Sequence, residues 1–243
     1  MKDSSGNDEF QTTHWSVVVS SREKDSAIRR ESLGELCAAY WYPLFAYLRR
    51  KGHSPDAAAD YVQSFFVELI DKEFLDAVSP DKGHFRWFLM SAIQRFVAKQ
   101  IEKQSAQKRG GDRQIFSLNV EDAEQRYRLE PVDGWSAEKL YDRGWALTVL
   151  QQALDRLQTE QAKKGKSELY VALQPTLSGV PMTLEQYTEI GERFDMLPGA
   201  VKVAALRLRQ KYRDAIREIV AQTVIRTDDI GDELDELLAA LKR

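Results

Sequence analysis

The stretch MTLEQYTEIGERFDMLPGAVKVAALRLRQKYRDAIR, residues 182–217, decides the fold, because it predicts two helices joined by a tight turn. Thr183 can cap the first helix, on which Gly191 would allow a close approach of the second. Asp195 suits the left-handed backbone of the turn, and Pro198 fits the first position of the next helix. Apolar residues then repeat every three or four positions, which predicts one buried stripe: Val201, Ala205, Leu208, Tyr212, Ala215 and Ile219. The pattern is that of a helix-turn-helix, which presents its second helix to the DNA major groove.

A second stripe on the longer helix is mostly basic. At about 100° per residue it runs beside the apolar stripe and contains Lys202, Leu206, Arg209, Arg213 and Arg217. A charged helix face is usually only a solvated face, but a solvated helix needs no partner helix held at a fixed angle. The helix pair therefore favours DNA binding. Leu197 stands where Ser or Thr would normally cap the second helix, which leaves the first amides to water or phosphate.

Composition limits the classes of protein. The 243 residues suffice for one large or two small domains, and 43% of them are hydrophobic, enough for a packed core. The net charge is −3, so any affinity for nucleic acid must come from segregated charge, and positive residues do concentrate in 95–113 and 202–217. The chain has one cysteine, Cys37, and lacks both a membrane-length apolar run and the hydrophobic stretch of a signal peptide. We therefore expect a cytoplasmic protein without a membrane partner.

Helical periodicity predicts an all-α fold of two helical domains joined by a charged linker. The predicted segments are an N-terminal extension (1–25), a first helical domain (26–106), the linker (107–136), a helix-turn-helix domain (137–222) and an acidic C-terminal helix (223–243). Pro43 should kink or break the helix predicted over 26–51, which makes two consecutive helices plausible there. The acidic helix could cover the basic face or pack as a simple appendage, and the appendage is favoured.

Nothing in the chain predicts catalysis. The three histidines, His14, His53 and His84, are scattered and have no partner at metal-ligand spacing. The Gly pair at 110–111 lacks the strand, Lys and Ser/Thr of a phosphate-binding loop, and Cys37 has no evident base beside it. We expect no enzymatic activity, no catalytic residue, no metal and no cofactor.

A second DNA-binding candidate is the helix HFRWFLMSAIQRFVAKQIEKQ, residues 84–104. Its aromatic cluster of Phe85, Trp87 and Phe88 is too wide for one core face, so part of it should be exposed beside cations. The neighbouring cations are Arg86, Arg95, Lys99 and Lys103. Exposed aromatics beside cations suit single-stranded DNA. Alternatively the aromatics are all core, which fits Phe85 and Phe88 equally well and Trp87 less well.

Taken together, these elements resemble the extracytoplasmic-function (ECF) group of the sigma-70 family, the smallest bacterial RNA polymerase sigma factors. The resemblance covers about residues 12–222, and several phrases are similar to an ECF-like subgroup associated with planctomycetes: TTHWSVV, AYWYPLFAYLRRKGHSPDAAADYVQSFFVELI, FRWFLMSAI, QKRGG and SLNVEDAEQRYRLEP. It implies a sigma factor that directs promoter-specific transcription initiation. The implied partners are promoter DNA and the clamp helices and flap of core RNA polymerase, and an anti-sigma factor or a kinase is a further candidate.

The resemblance carries candidate residues for three contacts. The helix SPDAAADYVQSFFVEL would bind the polymerase clamp through Asp56, Asp60, Gln63 and Phe66. The helix that follows His84 would read and melt the −10 element through Arg86, Trp87, Gln94, Arg95, Lys99 and Lys103. On the long basic helix, the candidates for −35 base edges are Lys202, Val203, Leu206 and Arg207, and those for phosphates are Arg209, Arg213 and Arg217.

Two further features of the sequence concern regulation and the linker. Ser64 stands where the family commonly has an acid, which implies weaker core binding and makes it a candidate phosphorylation site.

In the family the linker threads the channel for nascent RNA. Its acids here would share the negative sign of RNA, although an ordinary solvated linker explains them equally well: Glu121, Asp122, Glu124, Glu130 and Asp133.

Two other classes of function stay open. A stand-alone helix-turn-helix regulator would bind DNA tightly without polymerase. A helical regulatory partner that does not bind DNA would show no dependence on DNA at all.

Overall fold

The computed structural model describes residues 26–71, 84–106, 120–130 and 134–242, and within these ranges the fold is all-α, as predicted. The α-helices are α1 (Ser26–Arg50), α2 (Pro55–Asp71), α3 (Phe85–Ala106), α4 (Val120–Arg128), α5 (Ala137–Lys163), α6 (Ser167–Leu173), α7 (Leu184–Arg193), α8 (Pro198–Ala221) and α9 (Ile230–Leu241). Short 3₁₀ helices occupy Gln174–Ser178 and Thr227–Asp229. None of the helices in these ranges has the length and apolar character needed to cross a bilayer. The predicted extension (1–25) and residues 107–119 and 131–133 of the predicted linker lie outside the described residues.

The chain divides into two compact units at different points from those predicted. The second unit is Leu147–Val220, and the first combines the chain up to Ala146 with Ala221–Arg243. The unit boundary therefore falls inside α5, and the acidic helix α9 belongs to the first unit. Its contacts there, described below, are those of a helix packed on the first unit.

Helix α1 runs through Pro43 without a break, so the prediction of two consecutive helices is wrong. A proline inside a helix costs about 3 kcal/mol, because it removes one hydrogen bond and its ring crowds the preceding turn. Burial offsets this cost, since every residue from Trp41 to Leu48 is buried. Gly144 of α5 lies directly against Pro43, because a Cβ added to Gly144 would stand 3.3 Å from the Cα of Pro43. Cys37 is buried in the same helix, and burial raises the pKa of its thiol.

Helix α4 corrects part of the linker prediction, because it packs against α1 and α2 within the first unit. Arg49 donates to both carboxylate oxygens of Glu124, at 2.8 and 3.1 Å. Just after the helix, Glu130 accepts bonds from the Tyr42 hydroxyl and from Arg143, both at 3.1 Å. The side chains of Glu124 and Glu130 are only 12% and 7% exposed. These two acids are therefore bound internally and do not form a free, RNA-like surface.

The second unit is built on one apolar cluster shared by α5, α6, α7 and α8. Its buried members are Ala153, Leu157, Tyr170, Leu173, Tyr187, Val201, Ala205, Leu208 and Ala215. At the edge of the cluster Glu160 of α5 pairs with Lys164 and with Lys211 of α8. These two ammonium groups lower the pKa of Glu160 to about 2. The pairing positions α8 along α5 and leaves its opposite side to solvent.

Replacing Arg49 with Met should detach α4 from α1, because the change removes the bidentate bond to Glu124 but keeps the apolar stem. We expect the free energy of unfolding, measured by urea titration, to fall by about 2 kcal/mol. Arg128→Met is the matched control, since Arg128 also bonds Glu124 but its side chain is 74% exposed. The control should lose less than about 0.5 kcal/mol. Equal losses in the two variants would contradict this account of α4.

Candidate nucleic-acid interface

Helix α7 begins at the predicted cap. The backbone N–H of Gln186 donates to the Thr183 hydroxyl at 3.3 Å, and the backbone N–H of Thr183 donates to the Gln186 side chain at 2.8 Å. This reciprocal pair is a capping box, which satisfies two amides that a helix start would otherwise leave open. The short first helix therefore has a fixed starting point.

The turn between α7 and α8 is closed by Gly191 and Asp195. Asp195 has a φ of 53°, the left-handed conformation predicted for it. The backbone N–H of Met196 donates to the carbonyl of Gly191 at 2.8 Å. An added Cβ on Gly191 would stand only 2.5 Å from the Met196 carbonyl oxygen. Residue 191 must therefore be glycine. The sequence predicts a close approach of the second helix at this glycine, but the atom nearest to the added Cβ belongs to the turn, at Met196. Pro198 is the first residue of α8, as predicted.

The apolar stripe of α8 faces the core as predicted. Val201, Ala205, Leu208 and Ala215 are buried, and Tyr212 and Ile219 are partly buried against the same cluster. The Tyr212 hydroxyl donates to the carbonyl of Leu150 on α5 at 3.4 Å. Packing therefore determines which side of α8 faces solvent.

The opposite side of α8 is basic and exposed. Six of its seven candidate DNA contacts are exposed: Lys202, Val203, Leu206, Arg207, Arg213 and Arg217. The seventh, Arg209, is partly buried, and its Nε finds no hydrogen-bond acceptor among the described residues. Val203 and Leu206 are large apolar side chains that are 46% and 58% exposed. Within the described ranges the ion pairs of α8 use only Lys211 and Glu218, so no carboxylate competes for the cations of this face, although Lys202 Nζ lies 5.5 Å from the centroid of the Tyr187 ring.

Helix α3 exposes part of the predicted aromatic and basic surface. Trp87 is 50% exposed, whereas Phe85 and Phe88 are buried. For these two phenylalanines the alternative prediction, a position in the core, is therefore the correct one. The remaining polar candidates are exposed, namely Gln94, Arg95, Lys99 and Lys103. The Gln94 amide donates to the Tyr47 hydroxyl of α1 at 2.9 Å, so its orientation is fixed.

Arg86 is the clear correction on α3, because it is 2% exposed and not on the surface. Its Nη1 lies 2.6 Å from Asp142 Oδ1 on α5, and its Nη2 lies 3.1 Å from Glu233 Oε2 on α9. Burial disfavours the charged guanidinium, but Glu233 and Asp142 outweigh that cost and raise the pKa of Arg86. The partner is 147 positions away in sequence, so no local pattern around Arg86 could reveal it. A signal does exist on α9, where Glu233 interrupts an apolar stripe between Ile230 and Leu237.

Helix α2 presents a smaller candidate surface than predicted. Asp56, Asp60 and Ser64 are exposed and recur every four residues, which places them on one helix face. Gln63 is partly buried beside them. Phe66 is fully buried, with its ring 5.6 Å from that of Phe65, so as a direct polymerase contact it is wrong. Its ring supports the helix from inside.

Fold and surface together define an all-α protein with a helix-turn-helix whose second helix is exposed and basic. Residues 44–218, more than half of the chain, match the family model described as ECF sigma factor. The protein therefore belongs to the ECF sigma factors and is an RNA polymerase sigma factor that directs transcription initiation. The match identifies the family, and the resemblance to the planctomycete subgroup stays a prediction. Searches of the curated proteins and of the solved structures gave no match.

Gly191→Ala should destabilise the helix-turn-helix, because the new methyl group would collide with the backbone carbonyl of Met196. We expect a loss of about 2 kcal/mol in the free energy of unfolding, measured by thermal melting. Gly199→Ala is the matched control, since nothing lies within 4 Å of a Cβ at this helical position. The control should gain about 0.5 kcal/mol through the unfolded state. A Gly191→Ala variant as stable as wild type would contradict the described turn.

Proposed function

We propose that this sigma factor contacts promoters at two elements, the −35 duplex through α8 and the −10 element through α3, while α2 binds core polymerase. The single observation that carries the proposal is the basic face of α8, which follows a closed turn and has cations without carboxylate partners in the described part of the chain. A helix held in this way can enter a major groove with its charges unoccupied.

The exposed residues of α8 divide into two roles by position. Lys202, Val203, Leu206 and Arg207 lie in its first half, the part of a recognition helix that contacts base edges. Leu206 and Val203 offer apolar contact to thymine methyl groups, and Lys202 and Arg207 offer donors to guanine. Arg209, Arg213 and Arg217 follow and would bind phosphates, which position the helix without reading sequence.

We assign −10 melting to the exposed half of α3. Trp87 would stack on an unpaired base, and Arg95, Lys99 and Lys103 would bind the backbone of the separated strand. Gln94, held by Tyr47, would read a base edge. While α9 is in place Arg86 is not part of this contact set, because its guanidinium is occupied by carboxylates.

On α2 the proposed contacts with the polymerase clamp are Asp56, Asp60 and Gln63. Ser64 completes the same face and would carry the missing negative charge when phosphorylated by a kinase. We assign the protein a regulatory, non-enzymatic role in the cytoplasm, where the polymerase acts, and keep an anti-sigma factor as a candidate partner.

Run-off transcription with purified core polymerase and promoter fragments from the same genome tests the function directly. We expect promoter-dependent transcripts only when both proteins are present. Tight, specific DNA binding by the protein alone, without transcripts, would instead support the stand-alone regulator. Absence of core binding, of transcripts and of any DNA dependence would support the non-DNA-binding partner.

Arg213→Ala and Lys202→Ala separate the two roles on α8. With the polymerase holoenzyme, Arg213→Ala should weaken binding about fivefold on all promoters and reduce the slope of log affinity against log salt by about 1. Lys202→Ala should change the ranking of −35 variants, because it removes a contact to a base edge. Arg156→Ala is the control, an exposed arginine on α5 that pairs with Glu218. If Arg213→Ala changed sequence preference at unchanged affinity, the division of roles would be wrong.

Ser64→Asp should strengthen binding to core polymerase by about two- to fivefold, because it restores an acid beside Asp60 on the exposed face. Affinity can be measured with labelled sigma factor and purified core. Ser167→Asp adds the same charge at an exposed position of the second unit and should have no effect. Equal affinity of the Ser64→Asp variant and wild type would remove the support for phosphorylation at this site.

A further inference from the structure

The last helix, α9, places a buried carboxylate on the first turn of α3. Glu233 is 0% exposed, and its Oε2 lies 3.1 Å from Arg86 Nη2 and 2.7 Å from His84 Nδ1. Its Oε1 accepts from Arg86 Nε at 3.3 Å, so the carboxylate binds the guanidinium with both oxygens. A second acid of α9, Glu236, approaches Arg86 to 3.6 Å. One short helix thus supplies two of the anions around this cation.

Apolar packing and the backbone hold α9 in this place. Ile230 and Leu237, on the same side of the helix as Glu233, are 7% and 2% exposed. The chain just before α9 is also fixed, since the backbone N–H of Phe85 donates to the carbonyl of Thr223 at 3.1 Å. His84 and Val224 form an isolated antiparallel bridge. The start of α3 is therefore bound by the C-terminal segment through both side chains and backbone.

The side chains under α9 have the composition of a site for single-stranded nucleic acid. The His84 ring lies 4.3 Å from the Trp87 ring, and the Arg86 guanidinium lies 5.4 Å from the same ring. Trp87 is half-exposed, whereas His84 and Arg86 are buried at 8% and 2% exposure. An aromatic ring beside a cation stacks a base and binds the adjoining phosphate. A carboxylate and a phosphate compete for the same guanidinium donors.

We propose that α9 is an intramolecular latch: Glu233 occupies the anion site of Arg86, and displacement of α9 opens a contact for single-stranded DNA formed by His84, Arg86 and Trp87. The inference rests on the proposed −10 role of α3. The latch explains why Arg86 is buried although it lies beside the half-exposed Trp87. It also means that α9 and DNA compete for Arg86. The apparent affinity for a separated strand is then the intrinsic affinity multiplied by the fraction of molecules with the latch open.

Glu233→Gln and Leu237→Ala in the full chain test the latch in two ways. The first keeps the shape of residue 233 but removes its charge, and the second weakens the packing of α9 without a change of charge. Both should bind a labelled single-stranded oligonucleotide at least about fivefold more tightly than wild type. Asp235→Asn, which removes an exposed charge from the same helix, should bind like wild type. In Arg86→Met/Glu233→Gln the gain should disappear, because the phosphate contact is gone.

Hydrogen exchange of wild-type protein gives a readout that needs no variant. Saturating single-stranded DNA should speed exchange of the α9 amides, while the same strand in duplex form should not. The latch is wrong if these amides stay unchanged, if folded Glu233→Gln or Leu237→Ala binds no more tightly than wild type, or if Arg86→Met/Glu233→Gln keeps the full gain. Where Glu233→Gln does not fold, as judged by circular dichroism, Leu237→Ala and the exchange measurement decide.

Arg95→Ala distinguishes failure of the latch from failure of the −10 assignment. Arg95 lies on the exposed part of α3, away from the residues under α9. If Arg95→Ala weakens single-strand binding while the latch variants behave like wild type, only the latch fails. If Arg95→Ala, the latch variants and wild type all bind the strand equally, the −10 role of α3 fails with it.

Discussion

The pairing of Glu233 with Arg86 is the interaction that joins the C-terminal helix to the rest of the first unit. Both side chains are almost fully buried, and a buried charge is tolerated only when an opposite charge and hydrogen bonds replace its water. Asp142 completes the arrangement from α5. Three segments far apart in sequence, on α3, α5 and α9, therefore meet at one group of charges. While α9 is in place, this group of charges ties the C-terminal helix to the start of α3, and Asp142 remains beside Arg86 if α9 moves.

Charge segregation is the second constraint, because a chain with net charge −3 has to keep its own acids away from its DNA-binding surfaces. Many acids are engaged internally: Glu124 with Arg49, Glu130 with Arg143, and Glu160 with Lys211. The first and third of these pairs each connect two helices, and the second connects the segment just after α4 to α5. Internal pairing thus stabilises the fold and at the same time leaves Lys202, Arg213 and the other exposed cations of α8 available to phosphate.

The helix-turn-helix could be predicted from sequence because its determinants are local. The cap at Thr183, the left-handed Asp195 and the start at Pro198 each depend on residues within a few positions. The basic face followed from helical periodicity alone. The continuous α1 could not be predicted from local sequence, because the burial that offsets the cost of Pro43 involves residues as distant as Gly144, about a hundred positions later. Phe66 was misassigned for a related reason: a family motif gives the position of a side chain on a helix but not the neighbours that cover it.

The charged residues show where sequence reasoning can be improved. A carboxylate is normally assigned to solvent, and for Glu124 and Glu130 that assignment produced a linker where a packed helix and its flanking turn exist. An acid inside an apolar stripe is a different case. Glu233 falls between Ile230 and Leu237 at helical spacing, so burying the stripe also buries the acid, and a buried acid requires a cation. This requirement follows from the spacing of the residues alone. It predicts a buried Arg or Lys elsewhere in the chain, and the arginine beside the half-exposed Trp87 meets it.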